Sequence, residues 1–369
     1  MEFLVVAGSL GWVALLLLPW RSWWTSEQLE PDGNPVEEDF RDITVLIPAR
    51  NEAAVIERTL SALRSQGNGF QTVLIDDQSS DGTAARARAL LASGLTILDG
   101  SPLPAGWTGK LWALEQGWRH VESNLVLLLD ADIELKPGML AALRRKIEEL
   151  DLVSVMAELR MQSFWERLFV PAFVYFFKLI YPFRLGNDPR SRVGVAAGGC
   201  ILLRSSALRK IGGFEPLRMA IIDDCSLARK IKETGGRTWT GLSRSVRSHR
   251  SYERLADFWD MVARTAFTQL RYSVWLLLGT TSLMLISFWV PLIGLLMLPA
   301  TFRGVAAVGI VAMMISYWPT LRYYRRAIFW ALALPLTSTF YLLMTWSSAL
   351  RFWQGKRSEW KGRVYARMP

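Results

Sequence analysis

The chain has 369 residues, 51% of them hydrophobic, with 17 Trp, 17 Phe and a formal net charge of +10. A positive mean hydropathy of +0.19 puts part of it in lipid, and two cysteines, Cys200 and Cys225, exclude a disulfide framework or a Cys-rich zinc site. The basic charge comes without a helix-turn-helix, zinc-finger or aromatic RNA-binding pattern, which excludes nucleic acid and favours a protein facing anionic membrane lipid.

In chain order, FLVVAGSLGWVALLLLPW (3–20) reads as an N-terminal transmembrane segment within residues 1–24, followed by Arg21, Trp23 and Trp24. It has no basic stretch before it and no small-residue cleavage site after it, against a removable leader. Residues 40–250 read as a water-soluble domain. ITVLIPA (43–49), TVLIDD (72–77), LTILD (95–99) and LVLLLDAD (125–132) are short apolar runs without polar alternation, as expected of strands buried on both faces. Helical patterns separate them: EAAVIERTLSALRSQ (52–66), TAARARALLAS (83–93) and KLWALEQGWRHV (110–121). The alternation predicts an α/β fold with a mostly parallel, Rossmann-like sheet, right-handed crossovers and a ligand beyond the carboxyl ends of the strands.

Carboxylates stand at those ends. PARNE supplies Glu52, DDQSSDGT supplies Asp77, and DAD supplies Asp130 and Asp132. On an extended chain the last two project to one side, and two hard oxygen ligands suit Mg2+ or Mn2+ completed by water and substrate phosphate. Asp77 is expected to point into the cleft and read a nucleoside, with Ser79 or Ser80 capping the following helix. Glu52 serves the same cleft or favours a helix start. Further on, Gly198 and Gly199 either allow close approach of an acceptor or relax a turn before the strand CILLR. Asp223 and Asp224 open the helix CSLARKIKETGG, where they either stabilise its N-terminus or supply a catalytic base. His249 in RSHRS is a candidate to meet the diphosphate or the metal, with a satisfied surface histidine as the alternative.

Residues 163–184 (SFWERLFVPAFVYFFKLIYPF and the residue after it) are too aromatic for a solvated helix and too interrupted by Glu166, Arg167 and Lys178 for a span, which predicts an interfacial helix, with an ordinary core helix as the alternative. Residues 251–272 read as a second, amphipathic interfacial helix. Apolar runs at about 274–298, 303–320 and 328–350 make residues 273–350 a set of C-terminal membrane segments. A basic tail covers 351–369. RYYRR (322–326) and that tail both look cytoplasmic by the positive-inside rule. With four full crossings the central domain and the tail would lie on opposite sides, so one segment, such as 328–350, is expected to be re-entrant or interfacial.

PARNE, IDDQSSDGT, GKLWALEQG (109–117), LDAD, AAGGCILLRSSALRKIGGF (196–214) and IDDCSLARKIKETGG (222–236) occur in the order and spacing of the family 2 inverting glycosyltransferases, which the chain resembles over roughly residues 43–250. The membrane arrangement and the closing WKGRVY are similar to the hopene-associated branch and, more distantly, to ceramide glucosyltransferases. The resemblance implies a GT-A fold with Asp77 and Asp130 on the nucleotide, Asp132 on Mg2+ or Mn2+, Lys110 near the nucleotide, and Asp224 as the base beside Asp223. Processive members carry Gln-x-x-Arg-Trp; here TQLRY keeps only Arg271, which argues against polymer synthesis and leaves Arg271 to pair with phosphate.

The expectation is thus a multi-pass inner-membrane enzyme with a cytoplasmic catalytic domain, transferring a sugar from a nucleotide-sugar donor, UDP-linked, to the hydroxyl of a lipid such as a hopanoid. The first rival is a polyprenyl-phosphate glycosyltransferase, whose acceptor is already anionic. A transporter or scaffold is the second; the C-terminal spans carry essentially no ionisable groups for transport, and a scaffold needs no acids at successive strand ends.

Overall fold

In a computed structural model the described residues are 1–32, 38–90 and 94–355, with the backbone of 359–360 and 363–364. Most of the basic tail, including the side chains of WKGRVY, and the end of the 83–93 helix lie outside them. The chain divides into a sheet unit (27–160, 185–251 and 357–369) and a helical unit (1–26, 161–184 and 252–356).

The sheet unit is built on eight strands: β1 (Ile43–Ala49), β2 (Gln71–Asp76), β3 (Leu95–Asp99), β4 (Leu125–Leu129), β5 (Ile133–Leu135), β6 (Leu152–Glu158), β7 (Cys200–Arg204) and β8 (Thr238–Ser248). They lie in the order β3-β2-β1-β4-β7-β6-β8-β5. The first four pair in parallel, as does β6 with β8, while β7 runs antiparallel to both its neighbours and β5 antiparallel to β8. All seven residues of β1 and all five of β4 are buried, which is why both read as unbroken apolar runs. Register then sets the site. Ala49 lies opposite Asp76, Asp76 opposite Asp99, and Leu46 opposite Leu128, so the chain leaves β1, β2 and β4 along one edge. This is the expected mixed, mostly parallel α/β sheet.

Local differences have local causes. The helix expected from residue 52 begins at Ile56, because residues 52–55 turn first, with Val55 N donating to Glu52 O at 3.0 Å. The polar-interrupted β6 and β8 were not among the predicted strands; their serines and threonines hide a period that the apolar runs show openly. The helix Asp223–Glu233 ends before Gly235, whose φ of +84° is free of cost only for glycine.

The helical unit has three helices long and apolar enough to cross a membrane, Val274–Met297, Ala300–Tyr323 and Ile328–Trp353. The N-terminal apolar helix, Glu2–Leu17, has 16 residues, about 24 Å of rise against roughly 30 Å of hydrocarbon. Pro19 forces Leu18 out of the helical region (ψ 129°) and shortens it. It packs tightly at small residues, with Gly309 against Ser9 and Gly294 against Val5, where a Cβ would collide. Pro291 has no N–H to give the carbonyl four residues back, Ser287 O, and the helix widens to a π turn over Leu285–Trp289. The indole of Trp12 donates to that carbonyl at 2.7 Å. Trp12→Phe leaves it unsatisfied and is expected to cost about 1 kcal/mol, read as a lowered melting midpoint in detergent.

The helix Phe164–Ile180 carries a capping box at Ser163 and Glu166. Glu166 is fully buried and accepts from the backbone N–H of Gln162, Ser163 and Tyr252. Glu166, one of the charges that spoil this segment as a span, therefore closes its end and ties it to the chain at 252. Phe169, Val174 and Tyr175 are buried, Tyr175 hydrogen-bonds Ser316 at 2.7 Å, and the Tyr341 hydroxyl reaches Phe169 O at 3.0 Å. Arg271 and Tyr272 both take left-handed backbone (φ +51° and +56°) in the turn before Val274, and Tyr272 stacks on Phe352 at 4.5 Å.

Candidate active site

Two clusters lie at the strand ends of the sheet unit. In the first, Lys110, on the first turn of the helix Gly109–Trp118, reaches Asp130 Oδ1 at 2.7 Å, Asp223 Oδ2 at 3.6 Å and the carbonyl of Gly198 at 3.3 Å. Asp223 and Asp224 occupy the first turn of the helix Asp223–Glu233, so the helix dipole and Lys110 both face them. Lys110, Gly198, Asp223 and Asp224 line one cleft, backed by Leu114 and Phe214.

Its electrostatics divide the labour. Burial works against the charge on Lys110, but Asp130, Asp223 and Asp224 together outweigh it and raise its proton affinity, so the lysine stays cationic. Burial raises the proton affinity of Asp130, Lys110 opposes, and the charge of Asp132 adds to the rise. For Asp224, burial and the neighbouring Asp223 push the carboxyl up to about 7, against hydrogen bonds from the Cys225 and Gly198 backbone and the charge of Lys110. A carboxylate so tuned accepts a proton near neutral pH.

Gly198 sits between these groups: a Cβ there would stand 3.2 Å from Lys110 Nζ and 3.3 Å from Asp224 Oδ2. Closeness explains this glycine, not a turn conformation. Gly198→Ala is expected to lower turnover about tenfold, as a displaced catalytic group does, with the melting midpoint nearly unchanged.

In the second cluster, Asp132 Oδ2 accepts from the Ser248 hydroxyl at 2.5 Å and lies 3.9 Å from Arg250 Nε. Arg250 also pairs with Glu52 at 3.1 Å. The Asp132 carbonyl accepts from His249 N at 2.9 Å, while the imidazole Nε2 turns to Glu134 Oε2 at 2.5 Å. The extended geometry expected for Asp130 and Asp132 is corrected: the chain turns there, closed by Ile133 N donating to Asp130 O at 3.0 Å, so the two acids serve different partners.

Loops from β1 and β2 lock over the same edge. Asn51 N donates to Ser79 Oγ at 3.0 Å, Ala53 N to Asp81 Oδ2 at 2.9 Å, and Arg50 Nη1 to the carbonyl of Asp77 at 2.5 Å. Asp77 itself is fully buried at the end of β2. Asn51 and Gln78 sit at φ +52° and +57°, strain of the kind found at binding loops. Neither Ser79 nor Ser80 caps the next helix; Gly82 holds the cap position and Asp81 takes the Thr83 N–H at 3.0 Å. Thr83 and Ala53 hydrogen bonds hold the Asp81 carboxyl below its ordinary range despite the opposing effect of burial.

Lys110, Asp130, Asp223 and Asp224 are thus brought together; Asp132, Glu52 and His249 stand with Arg250, Ser248 and Glu134, which the sequence reading did not assign. Arg250 lay in the quoted RSHRS, and a cation one residue past a suspected ligand was the available signal. Among the described residues no three His, Cys, Asp or Glu side chains gather closely enough to hold one metal. The donor set instead suits an ion held by one or two carboxylates and completed by phosphate and water: Asp132 Oδ1 has no hydrogen bond among the described residues, and Asp130 is two residues away.

Such a sheet, with acids at its strand ends and apolar helices at the chain's N- and C-terminal parts, is a fold of the GT-A glycosyltransferase type. Residues 44–212 match the model of the family described as Glycosyl transferase family 2. The chain is 33% identical over 126 residues to the undecaprenyl-phosphate 4-deoxy-4-formamido-L-arabinose transferase of Shewanella sediminis, a match covering 33% of this chain and 38% of the relative. It is 33% identical over 101 residues to the 4,4'-diaponeurosporenoate glycosyltransferase of Staphylococcus haemolyticus, covering 27% of this chain and 26% of the relative. In fold it is similar to the mannosyltransferase PcManGT from Pyrobaculum calidifontis, solved with GDP-Man and Mn2+, with a TM-score of 0.57 at 18% identity, over 96% of this chain and 99% of that one.

Proposed function

We propose that the protein is a membrane-bound, metal-dependent, inverting glycosyltransferase that moves a sugar from a UDP-linked donor to the hydroxyl of a lipid, with the sheet unit on the cytoplasmic side of the inner membrane. The carrying observation is the Asp223–Asp224 pair facing Lys110 and Asp130 across Gly198, with Asp224 raised to about 7.

In this reading Asp77 and Asp130 hold the nucleotide and Glu52 and Lys110 favour its phosphates and sugar, with Asp132, aided by Asp130, as the group for Mg2+ or Mn2+, while the His249 imidazole is engaged by Glu134. A bound divalent ion would offset the charge that develops on the leaving diphosphate. Asp224 takes the acceptor's hydroxyl proton as its oxygen bonds to the anomeric carbon and the bond to the diphosphate breaks. One base and no covalent intermediate invert the centre. Lys110 keeps Asp130 and Asp223 in place, and Asp223 keeps Asp224 basic.

The relatives' names support a lipid acceptor, and the undecaprenyl-phosphate transferases favour the polyprenyl-phosphate alternative. The raised Asp224 favours a hydroxyl, because an anionic phosphate has little proton to remove. A hopanoid acceptor rests on the sequence resemblance. The test is to incubate purified protein with radiolabelled nucleotide sugars and total membrane lipid. Label in the organic phase as an acid-stable glycoside supports the reading, an acid-labile phosphoglycoside replaces it with the rival, and no lipid label with any donor removes both.

A further inference from the structure

The helical unit holds a second concentration of charge, on the turn between the apolar helices Ala300–Tyr323 and Ile328–Trp353. Arg325 takes left-handed backbone there (φ +53°), and Arg326 N closes the turn on Leu321 O at 2.8 Å. This directs the Arg326 side chain inward: Nη2 donates to Met161 O at 3.4 Å, and Nε is buried with no hydrogen-bond partner among the described residues. The helix Phe164–Ile180 starts beside this turn, with Met161 O on Arg326 and the Phe164 ring near that of Trp330, and its first turn carries Arg167, an exposed side chain. Burial, and then the like charge of Arg167, lower the proton affinity of Arg326. Neither makes an ion pair among the described residues.

Two like-charged guanidiniums that share a site, one of them half-buried with its Nε unbonded among the described residues, are costly to hold together unless an anion joins them. The surroundings define that anion. Phe164, 61% exposed, lies 6.5 Å from the Trp330 ring, and Phe329, 63% exposed, stacks on Trp330 at 6.0 Å. Exposed aromatics beside arginine at the end of an apolar helix are the composition of a bilayer interface. A phosphate there would have an apolar wall for its tail.

We propose that Arg167 and Arg326, with Arg322 and Arg325 of the same turn, bind the phosphate headgroup of a membrane lipid. The inference does not depend on the catalytic reading, since none of these residues is placed in the chemistry.

The test is native mass spectrometry of the full chain released from detergent, offered phosphatidylglycerol, a polyprenyl monophosphate, or diacylglycerol with the same tails and no phosphate. Wild type is expected to retain the two phosphate lipids and not diacylglycerol. Arg167→Gln, at an exposed position that leaves the fold intact, should weaken retention about fivefold, as expected for one basic residue at an anionic surface. Arg326→Gln should weaken it at least as much. Arg303→Gln, at the other end of the same helix, should retain lipid like wild type and so controls for diffuse charge. Preference for the glycerolipid identifies a bilayer headgroup as the ligand, and preference for the polyprenyl phosphate identifies a lipid-linked phosphate. Equal retention of diacylglycerol, or an Arg167→Gln variant indistinguishable from wild type, overturns the proposal.

Discussion

Asp224→Asn is expected to slow sugar transfer about a thousandfold, as loss of a positioned general base does, while donor affinity measured by calorimetry stays within about twofold of wild type because uniform binding is untouched. Wild-type kcat/KM should climb with pH through about 7, as the carboxyl raised by burial and Asp223 loses its proton. The residual rate of the variant should show no such rise. Stability supplies the control. A carboxyl whose proton affinity is raised on folding adds stability below its unfolded pKa, and that contribution is lost as pH rises through its folded value. Wild type should therefore lose thermal stability between about pH 4 and pH 7, whereas the Asn variant, neutral throughout, should not. At pH 8 the inactive protein should melt above the active one. A variant that melts lower, or that loses donor affinity with activity, would show that Asp224 organises the fold and not the proton transfer.

Asp132→Asn is expected to reduce turnover on the order of a thousandfold by weakening the ion that offsets charge on the diphosphate. Asparagine keeps an oxygen for the Ser248 hydroxyl, so the β5–β8 pairing and circular dichroism should be unchanged. Binding is read separately: free Mn2+, followed by its paramagnetic resonance signal as protein and UDP are added, should disappear with wild type and persist with the variant. If the variant binds Mn2+ and turns over normally, Asp132 is not the ligand and metal dependence must be sought elsewhere.

Much of the sheet unit was legible because parallel strands buried on both faces advertise themselves. ITVLIPA and LVLLL carry no polar residue that faces water, and their ends locate Glu52, Asp77 and Asp130 without knowledge of the rest. β6 and β8 were not, since serines and threonines bonded inside the unit, such as Ser154 to Ala197 O at 3.1 Å, look solvent-facing in one dimension. The meeting of Lys110 with Asp130 and Asp223 joins positions up to 113 residues apart, and only the motif resemblance brought them into one site. The extended DAD failed at a single hydrogen bond, Ile133 N to Asp130 O, which alternation cannot foresee. Arg250 and Glu134 escaped because cross-strand register between β5 and β8, not local sequence, sets them beside Asp132 and His249.

The helix Phe164–Ile180 constrains how this chain can be trimmed for study. It is inserted between two halves of the sheet unit, yet its aromatic side chains are covered by segments synthesised more than a hundred residues later, including Ser316 and Tyr341. Cutting the gene before the three long apolar helices, the obvious route to a water-soluble fragment, would strip Phe169 and Tyr175 and leave an uncovered aromatic segment in the middle of the fragment's sequence. Such a fragment should precipitate, and replacing 161–184 by a short polar linker should return it to solution.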